Sequence, residues 1–135
     1  MPKLNEYVIG YTTNKGVLLD LDHTTENRVI MLADYLFRKY GLEGYQIMQS
    51  STHNYHVIFN KPVTWTHALS IMAMATYIFK KDKLVRWVIL QTIKQSATLR
   101  LTQKMSKPSP RLVLQIGKTD KTIKEYNEMY RVINE

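Results

Sequence analysis

The chain has 135 residues, 44% hydrophobic and 22% charged, with no cysteine and a net charge of +8. This is the balance of one folded domain, residues 1–135, around a single core. Lack of cysteine excludes disulfides, cysteine-held zinc, iron–sulfur clusters and thiol nucleophiles, and no run approaches 18 consecutive apolar residues, so no membrane-spanning helix is expected.

The opening Met1-Pro2-Lys3-Leu4-Asn5-Glu6 has no apolar h-region, so the expectation is a cytoplasmic chain without a secretory leader. Residues 7–11 and 17–22 are short apolar runs separated by Asn14-Lys15-Gly16, which predicts a β-hairpin. Thr24 or Thr25 caps a helix whose apolar positions Val29, Leu32, Ala33, Leu36, Phe37 and Tyr40 fall at helical spacing, and Gly41 ends it. Residues 45–50 and 55–59 read as strands around the turn Ser51-Thr52-His53-Asn54. Beyond Pro62, Thr64 or Thr66 starts a second helix with Leu69, Met72, Ala73, Thr76 and Tyr77 on one stripe. It runs out in Lys80-Lys81-Asp82-Lys83. Residues 86–90 read as a strand, with a short helix as the alternative. Strands at 98–102 and 111–116 flank the loop Ser106-Lys107-Pro108-Ser109-Pro110. A last helix carries Ile123, Tyr126, Tyr130 and Ile133. The order ββ-α-ββ-α-β-ββ-α predicts an α+β fold, a mixed or antiparallel sheet with an RRM-like core backed by helices.

The charge is unevenly spread. Residues 1–79 hold six Lys/Arg and six Asp/Glu, whereas residues 80–121 hold eleven basic residues and two acids. Such a segment suits a polyanion, and Lys80, Lys81, Lys83, Arg86, Lys107 and Arg111 are its candidate nucleic-acid contacts. A solvated basic surface is the plain alternative.

Three motifs carry chemistry. Asp20-Leu21-Asp22 ends an apolar strand, where residues two apart share a face. Paired carboxylates repel unless a cation sits between them, and Mg²⁺ or Mn²⁺ takes such an oxygen site. The plain alternative is a solvated strand end. Next, the turn from Ser51 to His56 offers small polar groups to a phosphate, with Ser51, Asn54 and His56 as candidate nucleotide-binding residues. It also reads as an ordinary hairpin turn. In the third, Arg100, Thr102 and Lys104 alternate onto one strand face, which suits phosphate or simply an exposed edge.

Together these motifs resemble the archaeo-eukaryotic primase superfamily, in its small plasmid and virus primase-polymerase branch. That family has a strand ending in Asp-x-Asp, a Ser-Gly-x-Gly-x-His turn, a third acid, and a stretch similar to Arg-Leu-Pro-Gly. Asp20 and Asp22 match the first motif, Ser51 and His56 the ends of the second, and Arg100 and Leu101 the start of the last. Thr52 and Asn54 stand where the family prefers glycine, and Thr102 replaces the proline. The third acid's place falls near Gln91, and Asp82 is the only acid between His56 and Arg100. The resemblance implies metal-dependent nucleotidyl transfer from nucleoside triphosphates on a template in DNA replication. Asp20 and Asp22, with Asp82 as the third candidate, would hold Mg²⁺ or Mn²⁺. His56, Ser51, Asn54, Arg100 and Lys104 would hold the triphosphate. The implied partners are single-stranded or template DNA or RNA and a replication helicase or other replisome protein, with no membrane. The competing class is a non-catalytic single-strand binder on a degenerate primase-like fold, which explains charge and aromatics without chemistry.

Overall fold

The computed structural model describes residues 7–135; residues 1–6, on which the leader expectation rests, lie outside the described residues. The fold is α+β, and its elements in chain order are β1 (Gly10–Thr13), β2 (Leu18–Leu21), α1 (Glu26–Tyr40), β3 (Gly44–Ser51), β4 (Asn54–Phe59), α2 (Trp65–Phe79), α3 (Asp82–Lys94), β5 (Ala97–Arg100), β6 (Arg111–Gly117) and α4 (Thr122–Asn134). Every strand pairing is antiparallel: β2-β4-β3-β6 form one sheet and β1-β5 a second.

The expected hairpin of the first two strands does not form. Val17, Leu18, Leu19 and Leu21 are all fully buried, so β2 is apolar on both faces and belongs inside the fold. It pairs with β4, while β1 pairs with β5 from the far end of the chain. Gly10 permits that pairing, because a Cβ there would lie 2.6 Å from Thr98 Cγ2.

Residues 86–90 are helical rather than extended, so the order is ββαββααββα. Leu84, Val88 and Gln91 recur at helical spacing and are buried, and their periodicity outweighs the strand propensity of Val88 and Ile89. Asp82 in the first turn and Lys94 in the last complement the helix dipole. The strand expected at 98–102 stops at Arg100, so Arg100, Thr102 and Lys104 do not share a strand face; Lys104 instead closes a tight turn with Lys107.

Local rules hold where they were strongest. Thr25 and Thr64 accept hydrogen bonds from Arg28 N and His67 N and cap α1 and α2, and Gly41 closes α1 at φ 59°. On α2 the buried stripe is Ala68, Ile71, Met72 and Ala75, so the expected stripe is rotated and leaves Tyr77 in solvent.

The alternation of the four-stranded sheet divides the core. Leu19, Leu21, Ile47, Val57 and Phe59 pack against α1, α2 and α3. Leu18, Met48 and Ile58 pack with Tyr11, Leu99, Ile123 and Tyr126 from β1, β5 and α4. Each such buried side chain contributes about 2 kcal/mol of transfer free energy. Asp20 has the parity of Leu18, and His56 that of Ile58, so both belong to the second face.

Candidate functional site

Asp20 and His56 are direct partners across the antiparallel β2–β4 ladder, which places His56 Nε2 3.6 Å from Asp20 Oδ1. Asp22 follows immediately after β2. Its surroundings are fixed by a clasp between the loop leading into α1 and the β3–β4 turn. Asn54 Oδ1 accepts from His23 N at 3.0 Å, Asn54 Nδ2 donates to Ser51 Oγ at 2.6 Å, and Thr24 N donates to His53 O at 3.0 Å. Ser51 and Asn54, expected to hold nucleotide, are thus engaged with each other and with the loop beside Asp22. His53 supplies the left-handed turn residue at φ 63°.

Arg100 closes the other side. Its guanidinium donates to the carbonyls of Ser50 (2.8 Å), Pro108 (2.8 Å) and Thr102. It thereby ties the end of β3 to the loop before β6. This planar fork positions backbone at the site's rim. The loop it holds carries Lys104 and Lys107 and leads into Arg111, the first residue of β6. A groove of about 430 Å³ opens there, lined by Gln49, Ser51, Thr52, Lys107, Ser109 and Arg111. Arg111 donates to Gln49 Oε1 at its wall.

Electrostatics bind these parts together. Burial, and then the charge of neighbouring Asp22, push the Asp20 carboxyl up to about 7, while Lys83 and Lys107 oppose the rise. Burial, and then the Arg100 cation, push His56 down to about 3, so its imidazole is neutral at pH 7. His56 Nδ1 is buried with no hydrogen-bond partner among the described residues. A buried unpaired ring nitrogen is costly.

The acid expected third stands apart from this account. Asp82 is the exposed first residue of α3, where its charge favours the helix terminus. It is its neighbour Lys83 that reaches the pair, with Nζ 3.0 Å from Asp22 Oδ2. Gln91 is buried and structural, donating to Trp87 O and accepting from Thr98 N, which joins α3 to β5. Lys80 is the left-handed C-cap of α2 and Lys81 the N-cap of α3, with exposed Arg86 one turn on.

The basic segment therefore divides into two groups: the α2–α3 corner with Lys80, Lys81, Lys83 and Arg86, and the loop with Lys104, Lys107 and Arg111. Lys83 from one and Lys107 from the other both act on Asp20. Sequence reasoning placed Lys83 and Lys107 on a nucleic-acid surface and not beside the aspartates, because no local pattern links residues so far apart in the chain. It also missed Tyr126 on α4, whose buried hydroxyl lacks a partner among the described residues and is held protonated by burial, with Arg100 opposing weakly. Comparison of the chain with protein-family models, with curated proteins and with solved structures returns no match, so these residues and their chemistry carry the functional reading.

Proposed function

We propose that the chain is a primase-polymerase-like protein that binds a nucleoside triphosphate with a divalent cation beside single-stranded nucleic acid. The observation that carries this reading is the meeting of Asp20, Asp22 and His56 with Arg100 at one end of the sheet, from three separated segments.

The donor set fits Mg²⁺ or Mn²⁺. Burial first, and then the Asp22 carboxylate two residues on, raise the proton affinity of Asp20, so a cation beside the pair would relieve the second of these. Hard cations of this kind take one or two carboxylates and complete their shell with substrate phosphates and water. When bound, such a cation neutralises charge on the transferring phosphoryl group and polarises it for attack. The chain's own residues then do the rest. Asp20 and Asp22 anchor the cation. Neutral His56 keeps one ring N–H, which it would offer to a phosphate oxygen held beside Asp20. Arg100 holds the loop so that Lys107 and Arg111 face the groove, and the α2–α3 corner supplies charge for a template strand.

One observation favours the binding-only alternative. The Lys83 ammonium already neutralises Asp22, which stabilises the site without metal. Thermal shift separates the two readings by mass action. Stabilisation by Mn²⁺ plus nucleotide beyond either alone, lost in Asp20→Asn, supports the metal–nucleotide site, and template-directed extension assays then test transfer. A response to oligonucleotide alone leaves the binding protein.

A further inference from the structure

Helix α3 is apolar on two faces. Its inner face, Leu84, Val88 and Gln91, is buried against the fold. Its outer face carries Val85, Ile89 and Ile93 along one line, four residues apart, with Leu90 beside them. These are 39%, 52%, 73% and 58% exposed. An amphipathic surface helix has one apolar stripe; a helix apolar on opposite sides belongs between two layers. Among the described residues only one of those layers is present.

The charges around this face say what the second layer is. Arg86 lies within the apolar strip, exposed, and has no ion-pair partner among the described residues. Lys94 flanks the strip on one side, as does Lys83, already paired with Asp22; Lys80 and Lys81 precede it, and Asp82, the single acid of α3, stands one turn before Arg86. A second copy would set this basic rim against itself, at like-charge cost. A nucleic acid would find no aromatic platform, because the outer face is aliphatic and Trp87 turns inward, half-buried. Aliphatic side chains around an unpaired arginine fit a protein helix with its own apolar stripe and flanking carboxylates.

We propose that the outer face of α3 is a docking surface for an acidic amphipathic helix of a partner protein, seated on Val85, Ile89, Leu90 and Ile93 and anchored by carboxylates on Arg86. The apolar strip does not touch the aspartates, but its rim residue Lys83 pairs with Asp22, and Arg86 belongs to the basic corner proposed for a template strand, so a docked helix and a strand would compete for Arg86.

The test uses the full chain and a fluorescent synthetic helix with leucines at i, i+3, i+4 and i+7 and glutamates elsewhere, measured by anisotropy. A control peptide replaces every glutamate by lysine. The expected result is saturable binding of the glutamate peptide, at least ~10-fold tighter than the lysine peptide. Ile89→Asp should weaken it ~10-fold or more, because a buried aliphatic contact is lost. Arg86→Glu should reverse the preference between peptides. Both positions are exposed, so an unchanged thermal midpoint verifies that the variants fold. Absence of saturable binding, equal binding of the two peptides, or binding indifferent to Ile89→Asp overturns the proposal. So does a concentration-dependent dimer in sedimentation that Ile89→Asp abolishes, since a second copy then covers the face.

Discussion

His56 faces Asp20 squarely across the β2–β4 ladder, and the two groups are displaced from their ordinary proton affinities in opposite directions. Burial favours the uncharged form of each, so the resting site pairs a protonatable acid with a neutral imidazole that takes up no second proton at pH 7.

The pH dependence of stability follows with definite signs. Asp20 rises from 3.8 to about 7, so between those values the folded chain keeps a proton that the unfolded chain has released, and stability falls as pH rises. His56 falls from 6.5 to about 3, so below 6.5 the unfolded chain gains a proton that the folded one refuses, and stability falls as pH falls. The two slopes oppose each other from about 4 to 6.5. Asp20→Asn removes the first. At neutral pH in chelator it should stabilise the fold by on the order of 2 kcal/mol, and it should steepen the loss on the acid side. Urea unfolding at a series of pH values measures both; an Asp20→Asn chain less stable at neutral pH counts against the burial of charge described here.

Arg100 is expected to act on the loop before it acts on a ligand. Arg100→Ala leaves the carbonyls of Ser50, Thr102 and Pro108 without their donor and should cost about 2–3 kcal/mol. Arg100→Lys should recover little, because one ammonium cannot reproduce the planar fork. Hydrogen exchange should quicken at Lys104 and Lys107, whose amides bond within the turn that Arg100 holds. Unchanged exchange there would return Arg100 to a purely ligand-facing role.

The legible parts of this fold were the ones set by neighbours in sequence. Thr25, Gly41 and Thr64 act at helix ends through bonds to residues three or four away, and the β3–β4 turn is a local hairpin. The first hairpin failed because β1's partner, β5, is some ninety residues distant, and only the burial of β2 on both faces separates the alternatives. Residues 86–90 were misread because Trp87, Val88 and Ile89 suit strand and helix alike; the deciding period lay in Leu84, Val88 and Gln91. Asp20, Asp22 and His56 were singled out from motif spacing, and the β2–β4 ladder brings Asp20 and His56 together. Lys83 was not placed beside Asp22, since that contact depends on how α3 turns away from α2.

Nucleic-acid binding, if carried by the two basic groups, should weaken with salt by roughly 0.7 log units per phosphate contact per decade. Charge reversal at Lys80 and Lys81 should flatten that slope without disturbing the Asp20–Asp22 pair. Reversal at Lys107 and Arg111 should flatten it as well and also weaken nucleotide binding, because the groove beside Ser51 loses its cations. Equal slopes for both variants and the native chain, measured by anisotropy on a single-stranded oligonucleotide, would place the binding surface elsewhere.

Lys83 and Asp82 make the sharpest contrast, since they are adjacent and only Lys83 touches the site. The ammonium holds Asp22 at 3.0 Å and occupies charge that a divalent cation would otherwise neutralise. Lys83→Ala should therefore tighten Mn²⁺ binding by roughly 10-fold while lowering stability in chelator, because the two aspartates then repel with only Lys107 left to oppose it. Asp82→Asn should leave Mn²⁺ affinity within about twofold of the native chain, the change expected when an exposed charge acts through water. Asp22→Asn should abolish the metal-dependent rise in thermal midpoint. Calorimetric titration of Mn²⁺ into the three variants orders them. A loss with Asp82→Asn as large as that with Asp22→Asn would make Asp82 a ligand after all. It would also require the start of α3 to swing towards the pair when metal binds, with Lys83 released from Asp22.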